Sequence, residues 1–219
     1  MPTARLHPLR LSNAIAVRAR AAGIRLGIAE YKPIDTASTD QWTEEYGSTE
    51  LDFYGDLRQL ARYSILLGYV GHIGPDRSVL DFGCGAGVLA ARAQPLPFSR
   101  WVGIDHASTA IDKARATVSD ARVEFVVAPE PPEGLGPFDI VICNEVLNCL
   151  PDPGAFLDRL ERHIAPGGNL LVSLWRHPLA VGLHRMLDAR FDLVDAVEAR
   201  NLTDEKRDPG WRVSWHRRR

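Results

Sequence analysis

An α/β protein with a doubly wound, mostly parallel seven-stranded sheet is the architecture this sequence predicts, on three observations. Short, continuously apolar runs alternate with helical ones between residues 78 and 175, as strands do when helices cover both faces of a parallel sheet. The first run leads straight into Gly83-Cys84-Gly85-Ala86-Gly87, a glycine turn of the kind that joins a buried strand to a helix. Near the C-terminus the rhythm breaks. Two strand-like runs, 191–197 and 211–215, flank a polar connection with Asp208-Pro209-Gly210, which predicts an antiparallel hairpin added to the sheet edge.

The 219 residues suit one compact domain, with residues 1–50 as a helical lid segment and 51–219 as the remainder. Hydrophobic residues make up 45% and charged residues 25%, enough to bury a sizeable core. A formal net charge of -2 gives no global field that would gather nucleic acid or an anionic membrane. No run approaches the roughly 18 apolar residues that span a bilayer. A soluble, cytoplasmic protein is expected, with a small molecule as its partner and a homodimer as an open assembly. Cys84, Cys143 and Cys149 form no CxxC pair, so neither a disulfide framework nor a metal site is predicted.

Taken in order, the stretch through Lys32 carries six basic residues against Glu30. A transit peptide shares that composition. The preferred reading is an amphipathic helix capped by Ser12, with Ile15, Ala16, Ala19 and Ala22 on one face and Gly23 ending it. Residues 32–50 are polar, with Trp42 and Tyr46 at the spacing that shares a helical face, and read as a lid. From Leu51 a helical pattern of Tyr54, Leu57, Leu60, Ala61, Ser64, Ile65 and Leu67 runs to the breakers Gly71 and Gly74-Pro75. Strands are predicted at 78–82, 101–104, 123–127, 138–143 and 169–175. Between them, Ser108 caps a helix over 109–118, and Asp152 with Pro153 starts one over 155–164.

The chemistry concentrates at the ends of these strands. Glycines at alternate positions let backbone N–H groups approach a ligand closely, and the following helix start presents unpaired donors. Asp81 lies in the last turn of that first strand. The next strand, Trp101-Val102-Gly103-Ile104-Asp105, ends in an acid that can accept both hydroxyls of a ribose lying across the turn.

These residues resemble the class I S-adenosylmethionine-dependent methyltransferases, whose first motif is an acid followed by G-x-G-x-G and whose second strand ends in an acid. The resemblance spans about residues 76 to 175 and extends to Phe138-Asp139-Ile140-Val141-Ile142-Cys143-Asn144-Glu145-Val146-Leu147 and to Leu160 through Trp175 with its Pro166-Gly167-Gly168 turn. It implies a Rossmann-like methyltransferase fold with S-adenosylmethionine as cofactor and S-adenosylhomocysteine as product. By resemblance Asp81, Gly83, Cys84, Gly85 and Gly87 hold the methionine part, Asp105 the ribose, His106 a face of the adenine, and the Asn144 backbone the amino group. Relatives commonly place an Asp after the third strand for the adenine amino group. This chain reads Val127-Ala128-Pro129-Glu130, so Glu130 or backbone groups near Ala128 take that part. The His that many small-molecule relatives carry after the fourth strand is replaced by Asn148-Cys149-Leu150.

The implied reaction is methyl transfer to an O or N atom of a small metabolite or sugar. Tyr46, Tyr54, Asn148 and Trp175 are the expected acceptor contacts, and His177, past the fifth strand, the expected proton acceptor. Two alternatives stay open. One is a non-catalytic S-adenosylmethionine-binding protein. The other is a nicotinamide-dependent oxidoreductase, although its glycines are spaced G-x-G-x-x-G.

Overall fold

The computed structural model describes residues 11–29, 38–48, 51–202 and 210–219. Its sheet runs in the order β3-β2-β1-β4-β5-β7-β6. The strands are β1 (Ser78–Phe82), β2 (Arg100–Asp105), β3 (Val123–Val127), β4 (Phe138–Asn144), β5 (Ile164–Trp175), β6 (Phe191–Arg200) and β7 (Gly210–Arg218). Strands β1 to β5 are parallel, and β7 then pairs antiparallel with both β5 and β6. The chain order reverses between β1, which leads outward to β2, and its other neighbour β4. The carboxyl ends of these two strands therefore open a crevice, the usual ligand position in open α/β sheets.

Helices close both faces. On one side α3 (Leu60–Ile73), α4 (Val88–Ala93) and α5 (Ser108–Thr117) bury Leu66, Val70, Leu89, Ile111 and Trp101 together. On the other, α6 (Pro153–Leu160) and α7 (Val181–Arg190) pack Leu157, Leu160, Leu183 and Leu187 against Leu80, Val102 and Val141. Each fully buried side chain of this size contributes about 1.5–3 kcal/mol, so the sheet is anchored from both faces and its strand ends are fixed relative to one another.

Several local expectations are corrected. The first helix, α1 (Leu11–Leu26), contains Ser12 and continues past Gly23. It ends in a Schellman arrangement with Gly27 at φ +76°. The N–H of Ile28 donates to the Gly23 carbonyl and that of Gly27 to Ile24, which is why the stop falls at the second glycine. The helix expected from Leu51 begins only at Leu60, because extended backbone at Asp56 separates two 3-10 turns, Asp52–Gly55 and Leu57–Gln59. Strand β5 absorbs the Pro166-Gly167-Gly168 turn as a bulge: Ile164 faces Phe138, and the register then jumps to Asn169 opposite Ile140. The Asp208-Pro209 part of the hairpin connection, the start of the lid segment and the basic residues through Arg10 lie outside the described residues.

The N-terminal helices go to different places. Helix α1 packs on α7 and the 3-10 turn Pro178–Ala180, burying Ala21 and Ile24. Helix α2 (Thr39–Gly47), opened by a capping box between Ser38 and Gln41, packs on α5. Of these two helices, α2 is the one whose described residues line the crevice. Among the described residues no helix is long and apolar enough to cross a membrane.

Candidate active site

A cavity of about 970 Å³ occupies the crevice, within the range of small-molecule and cofactor sites. Its floor is the turn after β1. Gly83, Gly85 and Gly87 all have positive φ, at +71°, +52° and +74°, a region that side chains rarely adopt. Space forbids side chains as well. A Cβ on Gly85 would collide with the Tyr46 hydroxyl, and one on Gly87 would sit 2.9 Å from Ala114. The turn is braced from β2, because the two carboxylate oxygens of buried Asp105 accept the N–H groups of Gly85, at 3.0 Å, and Ala107, at 2.9 Å. Each oxygen keeps a second lone pair for a hydroxyl.

Beneath the turn Asp81 is fully buried, and no donor meets its carboxylate oxygens with hydrogen-bond geometry; the Trp101 indole N–H, itself otherwise unpartnered, answers it only in part. Burial, with the Asp105 charge adding to it, pushes its pKa up to about 7. An unpaired buried carboxylate is expensive, and a cationic ligand above it would relieve that cost.

The roof is α2, tied to α5 by Thr109 Oγ1 donating to the Thr43 carbonyl at 2.8 Å and Lys113 Nζ donating to the Ser48 carbonyl at 3.2 Å. Trp42 and Tyr46 both line the cavity, with ring centroids 6.4 Å apart. Tyr54, delivered by the first 3-10 turn, and Tyr63 of α3 complete the aromatic wall. Burial raises the pKa of Tyr46 and Tyr54 far above the ordinary phenol value, so both hydroxyls stay protonated.

The far wall carries two residues to which the motifs assign no role. Arg62 is buried on α3, with its guanidinium 5.4 Å from the Tyr54 ring centroid, 4.7 Å from that of Tyr63 and 5.6 Å from that of Trp211. It lies 4.0 Å from the carboxylate of Glu145. Glu145 follows β4 in left-handed backbone, φ +63°, a conformation that costs a non-glycine residue about 1–2 kcal/mol. Its side chain accepts from Ser173 Oγ at 2.9 Å and from the Trp175 N–H at 3.0 Å, which joins the ends of β4 and β5. Ser173 Oγ also lies 2.7 Å from Asn144 Oδ1. One hydroxyl proton cannot serve both oxygens; with the Asn144 amide turned to present Nδ2, both contacts become hydrogen bonds.

Of the expected site residues, Gly83, Cys84, Gly85, Asp105, His106, Ala128, Asn144, Tyr46 and Tyr54 line this cavity together. Gly87 closes the turn as the N-cap of α4. The others are elsewhere. Asp81 lies below the floor. Glu130 points away to pair with exposed Arg159 at 2.6 Å, leaving Ala128 and Pro129 at the wall. Asn148 donates to Cys149 Sγ at 3.5 Å, and Trp175 contributes its backbone N–H, its ring stacking on His177 with centroids 5.6 Å apart. His177 is outside the cavity as well. Its Nδ1 accepts the Leu179 N–H at 3.2 Å and caps the 3-10 turn, and burial lowers its pKa. A position just past a strand end did not settle the direction of its side chain.

Residues 55–213 match the family model of a methyltransferase domain. The chain belongs to that family. It is the class I, S-adenosylmethionine-dependent type, whose glycine turn, strand-end acid and sheet order are those described above. Ribosomal protein L11 methyltransferase of Ralstonia pickettii is 36% identical over 104 residues, 47% of this chain and 33% of that protein. Ubiquinone biosynthesis O-methyltransferase of Albidiferax ferrireducens is 33% identical over 135 residues, 56% of this chain and 52% of that protein. The chain thus spans about a third to a half of the length of these relatives. Among solved structures, N-methyltransferase NodS from Bradyrhizobium japonicum in complex with S-adenosylhomocysteine superimposes with a TM-score of 0.70 at 18% identity, covering 82% of this chain and 97% of that one. The 1,6-didemethyltoxoflavin-N1-methyltransferase from Burkholderia thailandensis gives 0.66 at 20% identity, covering 85% and 93%. At these identities the likeness is one of fold.

The residues present fit S-adenosylmethionine: a glycine cradle with no room for side chains, a strand-end acid with lone pairs to spare for hydroxyls, and a buried carboxylate beneath the turn that a cation would complement. Asp105→Ala is expected to weaken cofactor binding by about 1–3 kcal/mol, the worth of hydrogen bonds to a charged group. Titration of the folded variant checks this; unchanged affinity would leave Asp105 only its bracing role toward Gly85 and Ala107.

Proposed function

We propose that this methyltransferase moves a methyl group from S-adenosylmethionine to an O or N atom of a small metabolite or sugar. One observation carries the reading: the cavity that holds the glycine turn is a deep cleft whose wall beside α2 is mostly apolar and aromatic, lined by Leu51, Tyr54, Val146, Leu150 and Pro151. A concave, mostly apolar cleft with a few polar groups suits a small molecule.

S-adenosylmethionine supplies, when bound, an electrophilic methyl group on a sulfonium. The residues of the chain do the rest. The glycine turn and Asp105 fix the nucleoside end. Trp42, Tyr46 and Tyr54 exclude water and aim the acceptor, and such alignment contributes about 7 kcal/mol or more. The hydroxyls of Tyr46 and Tyr54, held protonated, orient the acceptor rather than deprotonate it. With His177 turned outward, the cleft favours an amine that arrives neutral over a hydroxyl that needs a base.

The test is transfer of a labelled methyl group from S-adenosylmethionine in the presence of a fractionated small-molecule extract or, separately, of ribosomal protein. Label is expected in the low-mass fractions. Label in protein alone would contradict the small-acceptor reading, and label in neither with cofactor still bound would favour a non-catalytic binding protein.

A further inference from the structure

We propose that a cavity at the opposite end of the sheet from the crevice is a second ligand site, built for a phosphate group, free or carried by a small molecule, and held chiefly by Arg217 and Arg77.

The site lies where the amino ends of β1, β4 and β5 meet the end of β7 and the last turn of α3. A cavity of about 470 Å³ opens there, lined by His72, Arg77, Asp139, Trp215, Arg217 and the segment 165–168. None of these residues lines the crevice. Its floor is held firmly. Asn169, 8% exposed, spends its side chain on the neighbouring strands: Nδ2 donates to the Asp139 carbonyl at 3.1 Å, and Oδ1 accepts from the Trp215 indole N–H at 2.8 Å. The Trp215 ring packs on both Tyr69 and His72, with centroids 5.7 Å and 5.8 Å away.

The cations of this lining outnumber their partners. Asp139 is the one carboxylate among the lining residues. Its Oδ2 accepts from the Ser78 N–H at 2.9 Å and from Ser78 Oγ at 2.7 Å, and its Oδ1 lies 3.6 Å from Arg77. Arg217 has no such neighbour. Asp192, opposite it on β6, is taken by Arg219 at 2.8 Å, and Glu161 pairs with Arg218 at 3.4 Å. Among the described residues no hydrogen bond or ion pair engages the Arg217 guanidinium. Arg77, Arg217 and Asp139 together leave one net positive charge before His72 is counted.

The backbone adds a donor. Residues 165–168 fall where the register of β5 jumps and have no partner strand on either side. Gly167 takes left-handed backbone there, φ +68°, so its N–H stays outside the ladder, as donors do in turns that bind anions. Two guanidinium forks and a turn suit a tetrahedral oxyanion, which accepts from several directions. The cavity is larger than one phosphate, and Ile73, Ala165 and Pro166 line the remaining room. A concave site on a chain of net charge -2 suits a small ligand rather than a nucleic-acid backbone, which calls for a basic stripe.

NMR of the intact protein reads the site through the Trp215 indole N–H, assigned with Trp215→Phe. Inorganic phosphate and glycerol 3-phosphate are titrated in turn, at constant pH, against potassium chloride of equal ionic strength. The parent should give a saturable shift of that signal at roughly millimolar ligand, and chloride should give none. Arg217→Gln and Arg77→Gln should each weaken binding about tenfold, and the double variant should lose it. Both side chains are exposed, so the variants keep the fold, which their remaining resonances verify. Tighter binding of glycerol 3-phosphate would support a phosphomonoester as the ligand, and equal binding the free ion. No saturable shift, a shift that chloride reproduces, or one that survives in the double variant would overturn the proposal.

Discussion

Asp81→Asn is expected to stabilise the ligand-free methyltransferase at pH 8 by up to about 4 kcal/mol and to weaken S-adenosylmethionine binding about tenfold or more. The first effect follows from burial. Asp81 lies under the glycine turn with only the Trp101 indole N–H partly answering it, and desolvation, with Asp105 adding to it and Trp101 opposing it, moves its pKa from the ordinary 3.8 to about 7. The native state therefore holds this proton more tightly than the unfolded chain does. The sign is fixed by that ordering: Asp81 favours folding below about pH 4, and the advantage is lost as the pH rises through 7. The amide does not titrate, so thermal unfolding from pH 4 to 8 should show a downward slope for the parent that flattens in the variant. The second effect is the reverse side of the same charge, since a cationic ligand above the turn is attracted by ionised Asp81 and by nothing comparable in Asn. A variant no more stable at pH 8 would mean that water or local opening already solvates Asp81.

Deleting residues 1–50 is expected to lower turnover at least about 100-fold while reducing cofactor affinity far less, because misplacing an acceptor by about 1 Å alone has effects of that size. The deletion removes α2 and with it Trp42 and Tyr46 from the roof, whereas the sheet and both helical layers keep their packing. Among the described side chains of helix α1, Ala21 and Ile24 are the buried ones, at 6% and 4% exposure, so its loss should leave a folded core. Trp42→Ala and Tyr46→Ala in the full chain serve as controls and should lower turnover in the same direction. Unchanged kinetics in the truncated protein would show that α2 is not a lid, and insolubility would make it part of the core.

The inner strands were legible because burial on both faces leaves continuous apolar runs, and β1 and β3 fall on the predicted residues. The glycine turn and Asp105 were legible for a related reason, since left-handed backbone and close neighbours together favour glycine at Gly83, Gly85 and Gly87, and a strand-end acid has a fixed address. Side-chain direction was not legible. His177, Asn148 and Trp175 occupy the right strand ends or loops, but local capping and stacking turn His177 and Trp175 to each other and Asn148 to Cys149. Arg62 and Glu145 were missed for the opposite reason. An Arg on an apolar helix reads as a side chain that snorkels to solvent, and a Glu after a strand reads as a turn residue. What could have drawn attention is the helical register of Arg62 with Leu66 and Tyr69, which share the buried face of α3.

The central claim is tested most directly by calorimetric titration of the intact protein with S-adenosylmethionine, S-adenosylhomocysteine and a nicotinamide dinucleotide. One site of roughly micromolar affinity for the first two, about -8 kcal/mol, and no binding of the third is the result predicted from the glycine spacing, Asp105 and the charge beneath the turn. Saturable binding of the nicotinamide dinucleotide with none of the sulfonium compound or its product would contradict it.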